Sequence, residues 1–291
     1  MCRFTFYMGS SIRLSSLLLD PDHSLIRQSS HSHERAEPLN GDGFGVGWYA
    51  PEYTREPAVF RSVTPAWNNR NLHNLARVVA SPCIMAHVRA ATRSSGVNEA
   101  NCHPFRFRQY LCMHNGDIGN FQLIRRRLLD SVSDDGFHNV FGSTDSEHLF
   151  AVIIDELLKH PVQVGGAETD ASILARSLDN AIKRVIELVQ SCNEVEHSYL
   201  NIALTDGDNA VISRYSDDPD SPPETLYYFV GDLYEPNPAE NRNDFEVVVS
   251  SEKLTGDSQW QAVPPNHMIV ISRGSIPEIR PCGTPVHHRV A

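Results

Sequence analysis

Cys2 is the residue from which chemistry would start, with only Met1 ahead of it. Aminopeptidases remove an initiator Met when the next side chain is small, and Cys qualifies. The mature chain would then begin with a residue carrying both a thiol and a free α-amine. A thiol is a weak nucleophile until a base takes its proton. An α-amine titrates at roughly 7.7–8.0, close enough to neutral pH to take it. Nucleophile and base would then reside in one residue. Three further polar groups stand where strands or helix caps are expected to end, the places from which a rigid scaffold presents chemistry. They are Arg89, the Asn115-Gly116 pair and Asp145. Taken singly, each has a plain reading: a surface ion pair, a turn signal, and a partner for a helix dipole.

The surrounding sequence supplies elements to position these groups. Arg3–Met8 is aromatic and β-branched and reads as a strand that would anchor Cys2, where a terminus would otherwise fray. Cys83–Arg89 and Gln109–Asn115 read as buried strands ending at Arg89 and at Gly116. Asn120 is placed to cap a helix with apolar residues at 121, 124, 128 and 129. Thr144-Asp-Ser-Glu147 is a capping box. It opens a helix that Pro161 would stop. A second long helix spans 171–191. In the C-terminal third, 199–205 and 210–215 flank Asp206-Gly-Asp-Asn209, a hairpin signal. Further strands fit 226–230, 245–250 and 268–272. Strands, then helices, then strands predict two packed sheets with helices outside.

Bulk properties exclude several classes. The 291 residues carry 25 Lys and Arg against 36 Asp and Glu, a net charge of −11. That argues against a general nucleic-acid or anionic-membrane surface. No apolar run approaches the ~18 residues of a membrane span, and the N-terminus has no signal-peptide pattern. The six cysteines form no CxxC pair; they read as reduced thiols of a cytoplasmic protein. His31 and His33 lie in a polar loop and read as solvated, so no metal is expected. The run Gly41-x-Gly43-x-Gly45-x-Gly47 is followed by no helical pattern, which rejects a nucleotide loop. Its alternation of Gly with large apolar residues suits a strand pressed against another backbone.

Together, Cys2, Arg89-x-x-Thr92, His114-Asn-Gly116 and Thr144-Asp-x-Glu147 resemble the class II glutamine amidotransferases, which are N-terminal-nucleophile hydrolases. Thr64–Asn69, Asn101–Phe105, Gly142–Glu147 and Ala203–Asp206 are similar to the amidotransferase-like subunit of the fungal glutathione-degradation complex. Asp42-Gly43 and Ser251-Glu252 are similar to the ergothioneine-pathway γ-glutamyl hydrolase. One difference stands out: Arg93 follows Thr92 where many of the family carry His. No synthase region is read after these motifs, so no destination for ammonia is expected within the chain.

The resemblance implies an α+β fold, a four-layer αββα sandwich of two antiparallel sheets. It implies a single domain over residues 2–273, with 274–291 as a C-terminal tail. It implies Cys2, Asn115 and Gly116 as catalytic residues, and Arg89, Thr92, Asp145 and His114 as substrate-binding residues, with no cofactor. The activity implied is Cys-dependent hydrolysis of a γ-glutamyl amide, glutathione or a related thiol compound first. The alternatives are an ergothioneine-type γ-glutamyl hydrolase, a glutaminase supplying ammonia, and a non-catalytic scaffold subunit. The expected partners are a small γ-glutamyl substrate and a peptidase-like or synthase subunit, with no nucleic acid and no membrane.

Overall fold

In the strand Arg3–Arg13 (β1), Phe4, Phe6 and Met8 enter one core and Tyr7 enters another. A strand apolar on both faces must be covered on both. The computed structural model describes residues 2–34, 39–91, 96–160, 171–194, 196–231 and 245–283. After β1 come helices α1 (Ser15–Leu18) and α2 (Leu25–Gln28), then strands β2 (Phe44–Trp48) and β3 (Ala58–Ser62). Next are α3 (Arg70–Ala76), β4 (Ala80–Val88), β5 (Phe105–Phe107) and β6 (Tyr110–Asp117). The helical section is α4 (Phe121–Asp130), α5 (Asp134–His138), α6 (Asp145–Leu158) and α7 (Ala171–Gln190). The chain returns to strands with β7 (Tyr199–Thr205), β8 (Asn209–Arg214), β9 (Tyr227–Val230) and β10 (Val247–Ser250). It closes with β11 (Gln261–Ala262), β12 (His267–Ser272) and β13 (Glu278–Pro281).

These strands form two antiparallel sheets, ordered β11-β9-β10-β1-β4-β2-β3 and β13-β12-β8-β7-β6-β5. Three cores separate four layers. One lies between the sheets, from Phe4, Phe6, Met85, Leu111, Met113, Ala203 and their neighbours. A second packs α1, α2 and α3 on the outer face of the first sheet. The third packs α4, α6 and α7 on the outer face of the second. The four-layer αββα sandwich expected above is the architecture observed. Gly45 and Gly47 behave as their alternation suggested. A Cβ on Gly45 would strike the His103 carbonyl, and one on Gly47 would strike Leu111 and Pro104.

Several local readings are corrected. Asn120 does not cap α4: it adopts φ 53° with no side-chain cap, and its Oδ1 accepts from Glu196 N at 2.8 Å. Residues 278–281, assigned to the tail, add β13 to the second sheet, and Cys282 beyond them is buried. His33 is not merely solvated, since its ring stacks on His23 at 3.8 Å. The helix stop at Pro161 falls outside the described residues. The capping box at Thr144 forms in altered shape. Thr144 Oγ1 accepts from Glu147 N, while Glu147 Oε1 takes the N–H groups of Phe141 and Gly142.

The head of β1 is held by a buried ion pair. Arg3 Nε donates to Glu252 Oε1 at 2.8 Å, with side chains 2% and 3% exposed. Arg3 also donates to Asn40 Oδ1. Glu252 accepts in addition from His23, Ser32 Oγ and the His33 N–H. Burial alone would raise its pKa, but these donors outweigh burial and hold it well below the usual carboxylate range. A depressed carboxylate stabilises the fold above its unfolded pKa and loses that contribution as pH falls toward the folded value. Removing one partner of a buried pair costs about 3–5 kcal/mol. Glu252→Gln is therefore expected to lower stability by roughly that much at pH 7. Its stability should also fall less steeply than the wild type's below about pH 4.5. Urea unfolding from pH 7 to pH 3 checks both; parallel acid limbs would show that Glu252 is not the linked group.

Candidate active site

Side-chain alternation sends one set of residues from each strand toward the inter-sheet core, and the polar members of that set gather at its end. Cys2 shares the face of Phe4 and Phe6, Arg89 that of Cys83 and Met85, Asn115 that of Leu111 and Met113. β1 and β4 pair with Arg3 opposite Val88, which sets Cys2 beside Arg89 at the mouth of the layer. The Cys2 Sγ donates to the Ala90 carbonyl at 3.6 Å. Burial raises its thiol pKa above the ordinary 9.0, and Asp145 raises it further; the Ala90 hydrogen bond and the positive charge of Arg89 act in the opposite direction. Cys2, Arg89 and Asp145 therefore share one electrostatic environment.

Arg89 is nearly fully buried, and its guanidinium donates to the Gly96 carbonyl at 3.4 and 3.5 Å. Its backbone is fixed by Asp42 N to Arg89 O (3.0 Å), by Arg89 N to Gly43 O (2.8 Å), and by Ala91 N to Asp42 Oδ2 (2.8 Å). Asn101 extends this support. Its Nδ2 donates to Gly96 O at 2.9 Å, and its Oδ1 accepts from Ser143 N at 2.9 Å, just ahead of the α6 cap. Asn101 thus links the carbonyl that Arg89 bonds to the segment that leads into α6. Asp145 sits in the first turn of α6, where the helix N-terminus favours its charge. Its carboxylate accepts from Ile118 N (2.9 Å) and Ser146 N (2.8 Å), which ties α6 to the loop after β6.

The Asn115-Gly116 segment is shaped by its ladder. Antiparallel partners alternate between pairs that exchange hydrogen bonds and pairs that do not. Leu200, opposite Gly116, turns its N–H to Tyr215 and its carbonyl to Ser213, away from β6. The Gly116 N–H is accordingly not used by β7 and faces the open edge beyond β5. Gly116 has φ +151°, and a Cβ there would fall on the Tyr199 carbonyl oxygen, so only glycine fits. Asn115 is 1% exposed, and its Oδ1 has no partner. A cavity of about 450 Å³ opens beside this turn, walled by Gly116, Asp117, Phe121, Leu123, Thr144 and Asp145. Cys2 and Arg89 are not part of its wall.

Five of the seven residues singled out by sequence therefore lie at one end of the sandwich: Cys2, Arg89, Asn115, Gly116 and Asp145. His114 is placed differently. It points to the helical side of β6, its Nδ1 bonded to Ser146 Oγ at 2.9 Å and its Nε2 to Tyr199 O at 3.1 Å. Both ring nitrogens are occupied, and the ring braces β6 against α6 and β7. Thr92, with Arg93, lies outside the described residues. Asn101 and Asp42 were given no role from sequence, although both stand in stretches that carried the resemblance; neither residue type signals, by itself, a backbone support.

Residues 26–289 match the family of class-II glutamine amidotransferases. The chain is similar to the probable glutamine amidotransferase DUG3 of Saccharomyces cerevisiae, 38% identical over 299 residues and covering 95% of this chain and 83% of that protein. It is 27% identical over 277 residues to the γ-glutamyl-hercynylcysteine sulfoxide hydrolase of Mycobacterium tuberculosis, covering 95% of both. Among solved structures, a glutamine aminotransferase class-II domain protein from Silicibacter pomeroyi superposes with a TM-score of 0.68 at 26% identity, over 97% of this chain and 100% of that one.

Gly116→Ala tests the turn. The added methyl meets a backbone carbonyl in addition to the ~1–3 kcal/mol of a strained φ, so thermal unfolding should shift down by many degrees. A variant melting like the wild type would mean that the turn is built differently.

Proposed function

The chain belongs to the class II glutamine amidotransferase family, and we propose that it hydrolyses a γ-glutamyl amide bond through Cys2 as an N-terminal nucleophile. The observation that carries this reading is the convergence of four separate segments, at Cys2, Arg89, Asn115-Gly116 and Asp145, on one end of the inter-sheet layer.

The roles follow from the chemistry of the γ-glutamyl group, which has an α-carboxylate, an α-ammonium and a scissile γ-carbonyl. Arg89 forks the carboxylate through two parallel N–H donors. Asp145 pairs with the ammonium. Thr92 is assigned to the same substrate-binding side from its motif alone. Once Met1 is removed, the Cys2 amine takes the thiol proton and the sulfur attacks the γ-carbonyl. The oxyanion is held by the Asn115 side-chain N–H and the Gly116 backbone N–H, one such donor being worth roughly 3–4 kcal/mol. The protonated amine gives its proton to the leaving nitrogen, and water hydrolyses the thioester.

Glutathione or a related γ-glutamyl thiol compound is the favoured substrate. A peptidase-like subunit would suit a dipeptide leaving group, and a synthase would suit ammonia. No helix among the described residues is long and apolar enough to cross a membrane. The rival reading, a scaffold subunit without turnover, is tested by activity itself. Met-free protein should hydrolyse at least one of glutamine, glutathione or another γ-glutamyl amide, with and without a candidate partner.

Active preparations should show the loss of Met1 by intact mass; full activity in protein that retains Met1 would sink the mechanism. Cys2→Ala should abolish turnover while leaving substrate binding measurable by calorimetry. Arg89→Lys should raise KM about tenfold, because a point charge replaces the bidentate fork. An unchanged kcat/KM in that variant would show that the carboxylate clamp lies elsewhere.

A further inference from the structure

Beyond the four segments, the inter-sheet layer holds buried histidines that the reaction as described does not use. His87, two residues before Arg89 in sequence, is 1% exposed, and its Nε2 lies 3.2 Å from the His114 carbonyl on the facing sheet. A carbonyl only accepts, so Nε2 carries the proton and Nδ1 is bare; Nδ1 is buried without a partner. This fixes one neutral tautomer. Burial first, and then the positive charge of Arg89, lowers the His87 pKa to about 3, so the ring stays neutral through the working range. The His103 ring packs beside it, tilted by 35°, with centroids 4.2 Å apart.

The carbonyl that His87 meets is a particular one. Ile202, opposite His114, gives its N–H to Ser213 Oγ on the far side. His114 and Ile202 are therefore a non-bonded pair, and the His114 carbonyl points away from β7, toward β5. But β5 ends at Phe105, paired with Cys112, and its ladder goes no further along β6 toward His114. The ladder thus leaves the His114 carbonyl exposed on the same open edge where the Gly116 N–H stands, and a side chain from the other sheet satisfies it.

We propose that His87 is a positioning residue for hydrolysis: its Nε2–H, donated across the layer to the His114 carbonyl, fixes the peptide that carries Asn115 and orients the Gly116 N–H. The bond has a second effect. It occupies a carbonyl whose negative end would otherwise stand beside the developing oxyanion. This inference rests on the assignment of Asn115 and Gly116 as oxyanion donors.

The test is steady-state kinetics of Met-free His87→Leu, His87→Gln and Asn115→Ala, with glutamine and glutathione as substrates and melting temperatures measured in parallel. A Gln amide nitrogen can take the place of the imidazole Nε2–H. His87→Leu should lose roughly tenfold to a hundredfold in kcat, the scale set by a displaced donor, with KM within about twofold. His87→Gln should recover most of the loss. A folded His87→Leu with wild-type kcat, a loss confined to KM, or a folded His87→Gln as impaired as His87→Leu would each overturn the proposal. Asn115→Ala separates the two levels. If it keeps wild-type kcat, the oxyanion assignment fails and takes the role of His87 with it. If it is impaired while His87→Leu is not, only the role of His87 is overturned.

Discussion

Everything at the site depends on where the first strand begins, and a buried charge pair decides that. Chain termini fray unless something ties them down, and Cys2 has one residue ahead of it. Arg3, on the opposite face of β1 from the thiol, is sealed against Glu252 and Asn40 beneath the outer helices. Two charges removed from water are costly to bury, and the pair holds only because Glu252 has three more donors to satisfy its remaining lone pairs. The same geometry that makes the pair expensive makes it directional. It permits one register at the end of β1, reinforced by Ser251, whose N–H and hydroxyl bond the backbone of Phe4.

From that fixed end, alternation does the rest. A strand buried on both faces sends odd and even residues to different cores. Here one set faces the inter-sheet layer and ends in polar groups. The layer is apolar along its length and turns chemical at its mouth because the strands stop there at the same level. The short β5 matters as much as the long strands. By ending early it leaves an edge of β6 unpaired, and that edge presents Gly116 N–H outward while His114 needs a donor from elsewhere. Incomplete pairing in one sheet is made good by a side chain of the other.

Much of this was legible in the sequence. The strand at Arg3, the Gly-alternating strand at Phe44, the capping box at Thr144 and the amphipathic period of 171–190 are local signals strong enough to stand without context. What escaped were elements whose reason is tertiary. α1, α2 and α5 are four or five residues long, too short to show a period. β3 and β13 are edge strands whose partial burial blurs alternation. Asn120 carries the composition of a cap but answers to Glu196, 76 residues away. At the site, sequence found the residues with obvious chemistry. It did not show where the His114 ring lies, because a histidine beside Asn-Gly gives no sign of which face its ring takes, and alternation from Met113 and Asn115 decides that. It gave no role to Asn101 and His87, whose work is to hold other groups.

Burial sets four of the six thiols aside as nucleophiles. Desolvation disfavours a thiolate, and it pushes Cys102 up to about 11 and Cys83 and Cys282 to about 12, with Cys112 higher still. Cys192 sits past the end of α7, bonded to the Leu188 carbonyl against the helical layer, away from the mouth of the sheets. Cys2 is half-buried and faces that mouth. Yet burial raises its thiol as well, so a base is needed close at hand. The imidazoles near the site do not qualify: burial holds His87 and His103 well below their ordinary range, too weak to deprotonate a thiol at neutral pH. Asp145 is committed to the Ile118 and Ser146 N–H groups. Among the described groups that act on the sulfur, none is a base of suitable strength. The proposed mechanism gives that task to the amine that Cys2 itself would carry without Met1. The environment that makes this cysteine a poor nucleophile as an internal residue is thus the one in which an N-terminal amine would matter most.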